Sequence, residues 1–398
     1  MTYLDWAATA VPDSGLLIEA AELALAFPGN PSSSHAAGKA AKAKLEEARH
    51  RLVGALGVGA AEGSLVFSGS GSEADAIPLL ALINKARRDG TRPHVVASSI
   101  EHPAIHEQLQ NLGKLGVDLT WVDPGPDGLV EPRRIALALR PETALCCVMA
   151  VNNETGAIQP IAGIVGAVKD AAAKSGRKRV RVHVDAIQAL GKIPFEPAVL
   201  EIDFAAFSAH KIRGPKGVGA LWLSESVARA FEPLVVGGGQ EGGLRPGTES
   251  LQGAWAFSRA AVTAVTGLAS GLAAARAHEA RLIEGLLTIG AIPLPLGRRP
   301  GDLGFSPYIL SVAFPGLSGE VLARALDSYG NAGGIAVSTG SACSSNARKK
   351  GRRVLEAMGL EGNLALGAIR VSTGSLTTLE DIATFLEAVT VLHPRLRA

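Results

Sequence analysis

Cysteine is scarce in this chain of 398 residues: there are three, and two of them, Cys146 and Cys147, sit side by side in an apolar run. A disulfide framework is excluded, and a reducing compartment is the expected setting. An excess of charge is missing too, with Lys+Arg 39 against Asp+Glu 37 and a formal net charge of +2. No strong overall field draws the chain to nucleic acid or to an anionic membrane, so a small molecule is the expected ligand. The basic run Lys174 to Arg181 has no aromatic residue interleaved with it, which reads as a solvated helix-to-strand turn. Long hydrophobic runs are lacking: the uncharged stretch between Arg259 and Arg276 falls short of the roughly 20 residues of a membrane span. MTYLDWAATA lacks a basic stretch followed by an apolar core, so no secretion signal is read and a cytoplasmic location is expected.

What is present is apolar residue, at 47% against 19% charged, and glycine, at 47 positions. The first excludes a disordered chain, and the second predicts many tight turns or close backbone approaches. From about residue 64, short apolar runs (SLVF, HVVASS, DLTWV, ALCCVMAV, RVRVHVDA, IDFAAFSA, GALWL) alternate with helical stretches. That alternation predicts an α/β domain with a mostly parallel sheet. Residues 251 to 289 read as long helix with glycine interruptions, bridging to a smaller α+β domain with strands YILSVAF and IRVST. PLPLGRRPGDLGFSP reads as a surface loop.

Ligands of parallel sheets collect beyond the carboxyl ends of the strands, where several polar residues stand. Ser68-Gly69-Ser70-Gly71-Ser72-Glu73 runs from strand to helix and suits a phosphate, with an ordinary Ser-capped turn as the alternative. Asp185 ends an alternating strand, with Gln188 just beyond, and is either a partner for a cationic ring nitrogen or a turn acid. Ser208, His210 and Lys211 end another strand, and a lysine at the mouth of a buried strand needs a partner or a covalent bond. A Schiff-base lysine, an aspartate for a pyridinium nitrogen and a phosphate cradle together describe a pyridoxal phosphate site. Cys343, in a Gly/Ser stretch without apolar periodicity, is a candidate nucleophile or an incidental loop thiol.

Nine segments appear in order: YLDWAAT (3–9), GNPSSSHAAG (29–38), FSGSGSEAD (67–75), EHPAI (101–105), VNNETGAIQP (151–160), HVDAIQALGK (183–192), SAHKIRGPKG (208–217), GGGQEGGLRPGTES (237–250) and STGSACSS (338–345). Together they resemble the cysteine desulfurases of the NifS/IscS type, pyridoxal-phosphate enzymes of the class V aminotransferase group. The resemblance implies fold type I: an N-terminal arm (1–15), a large domain with a mostly parallel seven-stranded sheet (16–255), and a small α+β domain (256–398). It implies that Lys211 carries pyridoxal 5'-phosphate, that Asp185 pairs with the ring nitrogen, and that His102 stacks on the ring. Asn153 and Gln188 match groups near the ring oxygen. Gly71, Ser72, Ser208 and His210 would hold the phosphate, with Thr248 reaching in from a second subunit of a homodimer. Arg370 and Asn30 match substrate-binding positions, and Cys343 would take sulfur from L-cysteine as a persulfide, leaving L-alanine. A sulfur-acceptor protein for iron-sulfur cluster or thio-cofactor assembly is the implied partner, and no nucleic acid, membrane or metal is.

Trp6, Ser70 and Gly242 depart from the family pattern, where Asn, Gly and Arg are usual. Arg348 to Arg353 form a basic run beginning five residues after Cys343, read as a solvated face, with docking of an acidic scaffold protein as the alternative. His102 and His106 have metal-ligand spacing, but Pro103 marks a helix start and no third ligand is near. His183 is expected as a packing residue near the site. The rival readings are a selenocysteine lyase or aminotransferase of the same group, and a non-catalytic scaffold.

Overall fold

The computed structural model describes residues 1–59, 62–174, 179–330, 333–339, 352–360 and 362–397. Its strands are β1 (Thr2–Tyr3), β2 (Gly63–Ser68), β3 (His94–Ser98), β4 (Asp118–Val122), β5 (Thr143–Cys147), β6 (Arg181–Asp185), β7 (Phe204–Ser208), β8 (Gly219–Ser224), β9 (Ile292–Leu294), β10 (Ile309–Ala313), β11 (Ile335–Ala336) and β12 (Ala368–Ser372). A seven-stranded sheet runs in the order β2-β8-β7-β6-β5-β3-β4, and β8 alone opposes its neighbours.

Strands buried on both faces read as continuous apolar runs, because side chains of either parity meet a core. Leu145, Cys147, Phe204 and Ala206 pack in one cluster, while Cys146, Val182, Ala205 and Phe207 pack in the other. The adjacent cysteines thus point to opposite faces of the sheet, and both are free thiols.

The expected long helix over 251–289 is two helices, Leu251–Thr266 and Leu268–Thr288, bent by 69° at their junction. The first packs on Ala36–Ala55 and Ser14–Ala26 beside the large sheet. The second belongs to a separate core, built with Phe314, Ile369 and Phe385 around the antiparallel sheet β12-β10-β9. Among the described residues no single helix is long and apolar enough to cross a membrane.

One local expectation is corrected. The stretch PLPLGRRPGDLGFSP is not all surface: Arg298 is wholly buried, pairing with buried Glu279 at 2.7 Å and donating to the Thr155 carbonyl at 2.8 Å. A buried guanidinium needs such compensation, and the loop folds inward to supply it. The N-terminal arm contributes to both cores: β1 pairs in parallel with β11, Leu4 joins the smaller core and Ala7 the larger one.

Candidate active site

Strands β2, β7 and β8 build the tightest part of the site. Gly219 pairs with both Ser68 and Ser208. A Cβ at Gly219 would lie 2.4 Å from the Ser70 carbonyl carbon, and one at Gly71 would lie 2.4 Å from Ile187 Cδ1. At Gly219 backbone approaches backbone and a side chain is excluded, while at Gly71, which opens helix Gly71–Asp89, the Ile187 side chain would have to shift. Ser70 Oγ caps this helix by accepting from Glu73 N at 3.1 Å. The Glu73 carboxylate accepts from Gly69 N and pairs with Arg245 at 2.8 Å. The Gly71 and Ser72 N–H groups, in the first helical turn, lack intrahelical acceptors and carry the positive end of the helix dipole. Ser208 is buried at the adjacent strand end.

Asp185 ends β6 and accepts from Ile187 N at 2.9 Å. Burial, with the nearby Asp75 carboxyl, pushes it up to about 8. A cation facing it would reverse that cost. His183, two residues earlier and so on the same face of the strand, meets Asp75 at 3.0 Å, both side chains wholly buried. It is a polar partner rather than packing alone. Gln188 donates to the Ala7 carbonyl at 2.9 Å and accepts from Lys192 Nζ at 2.7 Å. Burial first, then the Lys211 and Arg370 charges, bring Lys192 down to about 7.

Lys211 closes the short turn after β7, its Nζ donating to the Ala7 and Ala8 carbonyls at 2.7 Å each. His210 contacts Thr9 Oγ1 at 3.1 Å through Nδ1. His102 caps helix Pro103–Lys114, Nδ1 accepting from Ala104 N at 3.2 Å. Burial, then the charges of Lys211, Arg353 and Arg370, lower it to about 4. It is therefore a neutral ring at neutral pH. No group able to hold a metal ion occurs among the described residues.

Arg370, on β12, donates to the Asn153 carbonyl and to Asp5, both at 2.8 Å. Asn153 thus contributes its backbone here. Neighbouring Asn152 is consumed structurally, donating to the Ile100 carbonyl and accepting from Glu154 N, Thr155 N and Thr155 Oγ1. Asn30 is exposed and accepts from Ser32 N, closing its own turn, and Thr248 is exposed on the segment before helix Leu251–Thr266. Cys343 lies outside the described residues, as do Arg348 to Gly351. The two described arginines of that run are not a solvated face: Arg352 donates to the Thr339 and Ala368 carbonyls, and Arg353 to those of Ser99 and Glu101.

Asp5, Asp75, Glu101 and Lys192 were not singled out from the sequence. Glu101 is fully buried, accepts from Ser98 Oγ and Met149 N, and is raised to about 7 by burial. A signal existed for Asp75, an acid on the same helix face as buried Leu79 four residues on. The residues present fit pyridoxal 5'-phosphate. The glycine-lined turn at a helix start suits its phosphate, and a buried carboxyl in want of a cation suits its protonated ring nitrogen.

Residues 2–385 match the family model described as aminotransferase class-V. The chain is similar to a cysteine desulfurase of Cereibacter sphaeroides, 36% identical over 93% of this chain and 90% of that one. It is also similar to the cysteine desulfurase IscS of Escherichia coli (strain K12 / DH10B), 33% identical over 99% of this chain and 93% of the other. A solved structure titled NifS-like protein superposes with a TM-score of 0.86 at 33% identity, covering 98% of this chain and 99% of that one.

Proposed function

This chain belongs to the cysteine desulfurases of the class-V aminotransferase family, and we propose that it moves sulfur from L-cysteine to Cys343 and releases L-alanine. One observation carries the reading. An amine (Lys211), a carboxyl awaiting a cation (Asp185) and a helix start stand at strand ends of the large sheet, and the buried guanidinium of Arg370 reaches from β12 to the Asn153 carbonyl. Bound pyridoxal 5'-phosphate supplies an electron sink that makes the substrate's α-proton acidic. Gly71, Ser72, Ser208 and His210 would hold its phosphate, Asp185 its ring nitrogen, His102 its face, and Gln188 and Asn153 its ring oxygen.

Lys211 anchors the cofactor and carries the α-proton. Arg370 orients the substrate through its carboxylate, a task for a planar fork of donors. Neutral His102 is available as the base that frees a thiolate. The Cys343 thiolate attacks the substrate sulfur, the substrate's Cβ–Sγ bond breaks, and the carbon takes a proton. The products are a persulfide on Cys343 and L-alanine, with atoms conserved.

The proposal extends to a homodimer sharing Thr248, to a sulfur-acceptor protein serving iron-sulfur or thio-cofactor assembly, and to the cytoplasm, a setting in keeping with free Cys146 and Cys147. Mass spectrometry after incubation with L-cysteine tests it, with one extra sulfur expected on the Cys343 peptide. Full alanine release by Cys343→Ala would favour a lyase or aminotransferase instead. A protein that stays colourless with pyridoxal phosphate would favour the scaffold.

A further inference from the structure

The segment Asp5 to Thr9 meets the site through its backbone at Lys211 and Gln188 and through a side chain at His210. Its one ionised side chain, Asp5, meets Arg370. Arg370 Nη2 donates to Asp5 Oδ1 at 2.8 Å, Nη1 is engaged by the Asn153 carbonyl, and Nε is buried with no partner among the described residues. A guanidinium offers a carboxylate two bidentate edges, Nη1 with Nη2 and Nε with Nη2. Both include the nitrogen that Asp5 holds. A substrate carboxylate arriving on either edge therefore shares a nitrogen with a second carboxylate, and two anions on one donor repel.

We propose that Asp5 is a built-in counter-ion which the α-carboxylate of the substrate exchanges for itself, so that Asp5 sets the affinity of the site for carboxylates. The inference rests on the reading of Arg370 as the carboxylate site. Without ligand, Asp5 compensates a guanidinium that is only 6% exposed, where an unpaired charge is costly. Asp5 itself is 21% exposed, so it has solvent to turn to when released. Its parallel bridge to Ser372, with Ser372 N donating to the Leu4 carbonyl, aligns it with Arg370 two residues back along β12.

The test uses the holoenzyme and acetate, a carboxylate with no amine, as a competitive inhibitor against L-cysteine. Asp5→Asn keeps an oxygen for Nη2 and removes the charge. It is expected to tighten acetate about fivefold, the scale of a partly exposed ion pair, and to lower KM for L-cysteine in parallel. Ethylamine, an amine with no carboxylate, is expected to inhibit both proteins equally, and Asp5→Glu to restore the wild-type acetate constant. If Asp5→Asn does not fold, Asp5→Ser serves the same comparison. Unchanged or weakened acetate binding in the uncharged variant overturns the exchange. Arg370→Gln separates the two readings. If it weakens acetate and L-cysteine while the Asp5 variant does not tighten them, only the exchange falls. If it changes neither constant, the assignment of Arg370 falls and the exchange with it.

Discussion

His183 Nε2 and Asp75 Oδ1 lie 3.0 Å apart, and neither side chain has any exposed surface. Burial pushes Asp75 well up and His183 down to about 4, so both groups are driven toward their uncharged forms. Their other polar atoms, Asp75 Oδ2 and His183 Nδ1, find no partner among the described residues. A lone polar group left there would pay its full desolvation cost.

Either Asp75→Ala or His183→Ala is thus expected to lower unfolding stability by about 2 kcal/mol. The double variant should lose much less than the sum, since it strands no partner. Urea unfolding of the three variants measures this, and strict additivity would show that the pair is not coupled.

The Asp185 carboxyl imposes a pH dependence on the cofactor-stripped protein. Its folded value of about 8 exceeds the ordinary 3.8, so between these limits the folded chain holds a proton that the unfolded chain has released. Stability from this group is present at low pH and is lost as pH rises through that window. Asp185→Asn should therefore gain on the wild type between about pH 5 and about pH 8. Denaturation midpoints of both stripped proteins at the two pH values decide it. An equal difference at both would count against the burial argument.

Gly219→Ala is expected to destabilise the fold by about 2 kcal/mol, the scale of forced overpacking. The added carbon meets the backbone of Ser70 rather than a side chain that could swing away. Because Ser70 caps the helix at the phosphate turn, the variant should also release pyridoxal phosphate more readily on dialysis. Wild-type retention of cofactor would separate the turn from phosphate binding.

Arg245 ties the segment that carries Thr248 to the phosphate turn, through Glu73. Glu241 of the same segment is tied down by Arg49 at 2.7 Å and by Phe67 N at 2.9 Å. Arg245→Ala should weaken pyridoxal phosphate about fivefold, in line with a partly exposed ion pair, and should do so less at high salt. Cofactor titration followed by fluorescence, at two salt concentrations, reads both effects.

The fold and much of the site could be read from the chain because their signals are local. A buried strand shows as an apolar run, and the residue that ends it, as with Asp185, Ser208 or Lys211, reaches the ligand edge of the sheet in any parallel α/β packing. Breaks were read less well. The bend between Thr266 and Leu268 and the inward course of Arg298 depend on what the neighbouring layer offers, which no window of sequence contains.

By itself, then, the sequence determined the class of fold, the order of its motifs and the chemical kinds of group at the strand ends. Only the tertiary structure decided which polar and charged groups meet. Asp5 meets Arg370 across 365 positions, Asp75 meets His183 across 108, and Arg49 meets Glu241 across 192. The physical reason is that the strength of an ion pair, and the proton affinity of a carboxyl or a ring, depend on burial and on the nearest opposing charge. Both are properties of packing, and packing brings together residues that the linear order keeps apart.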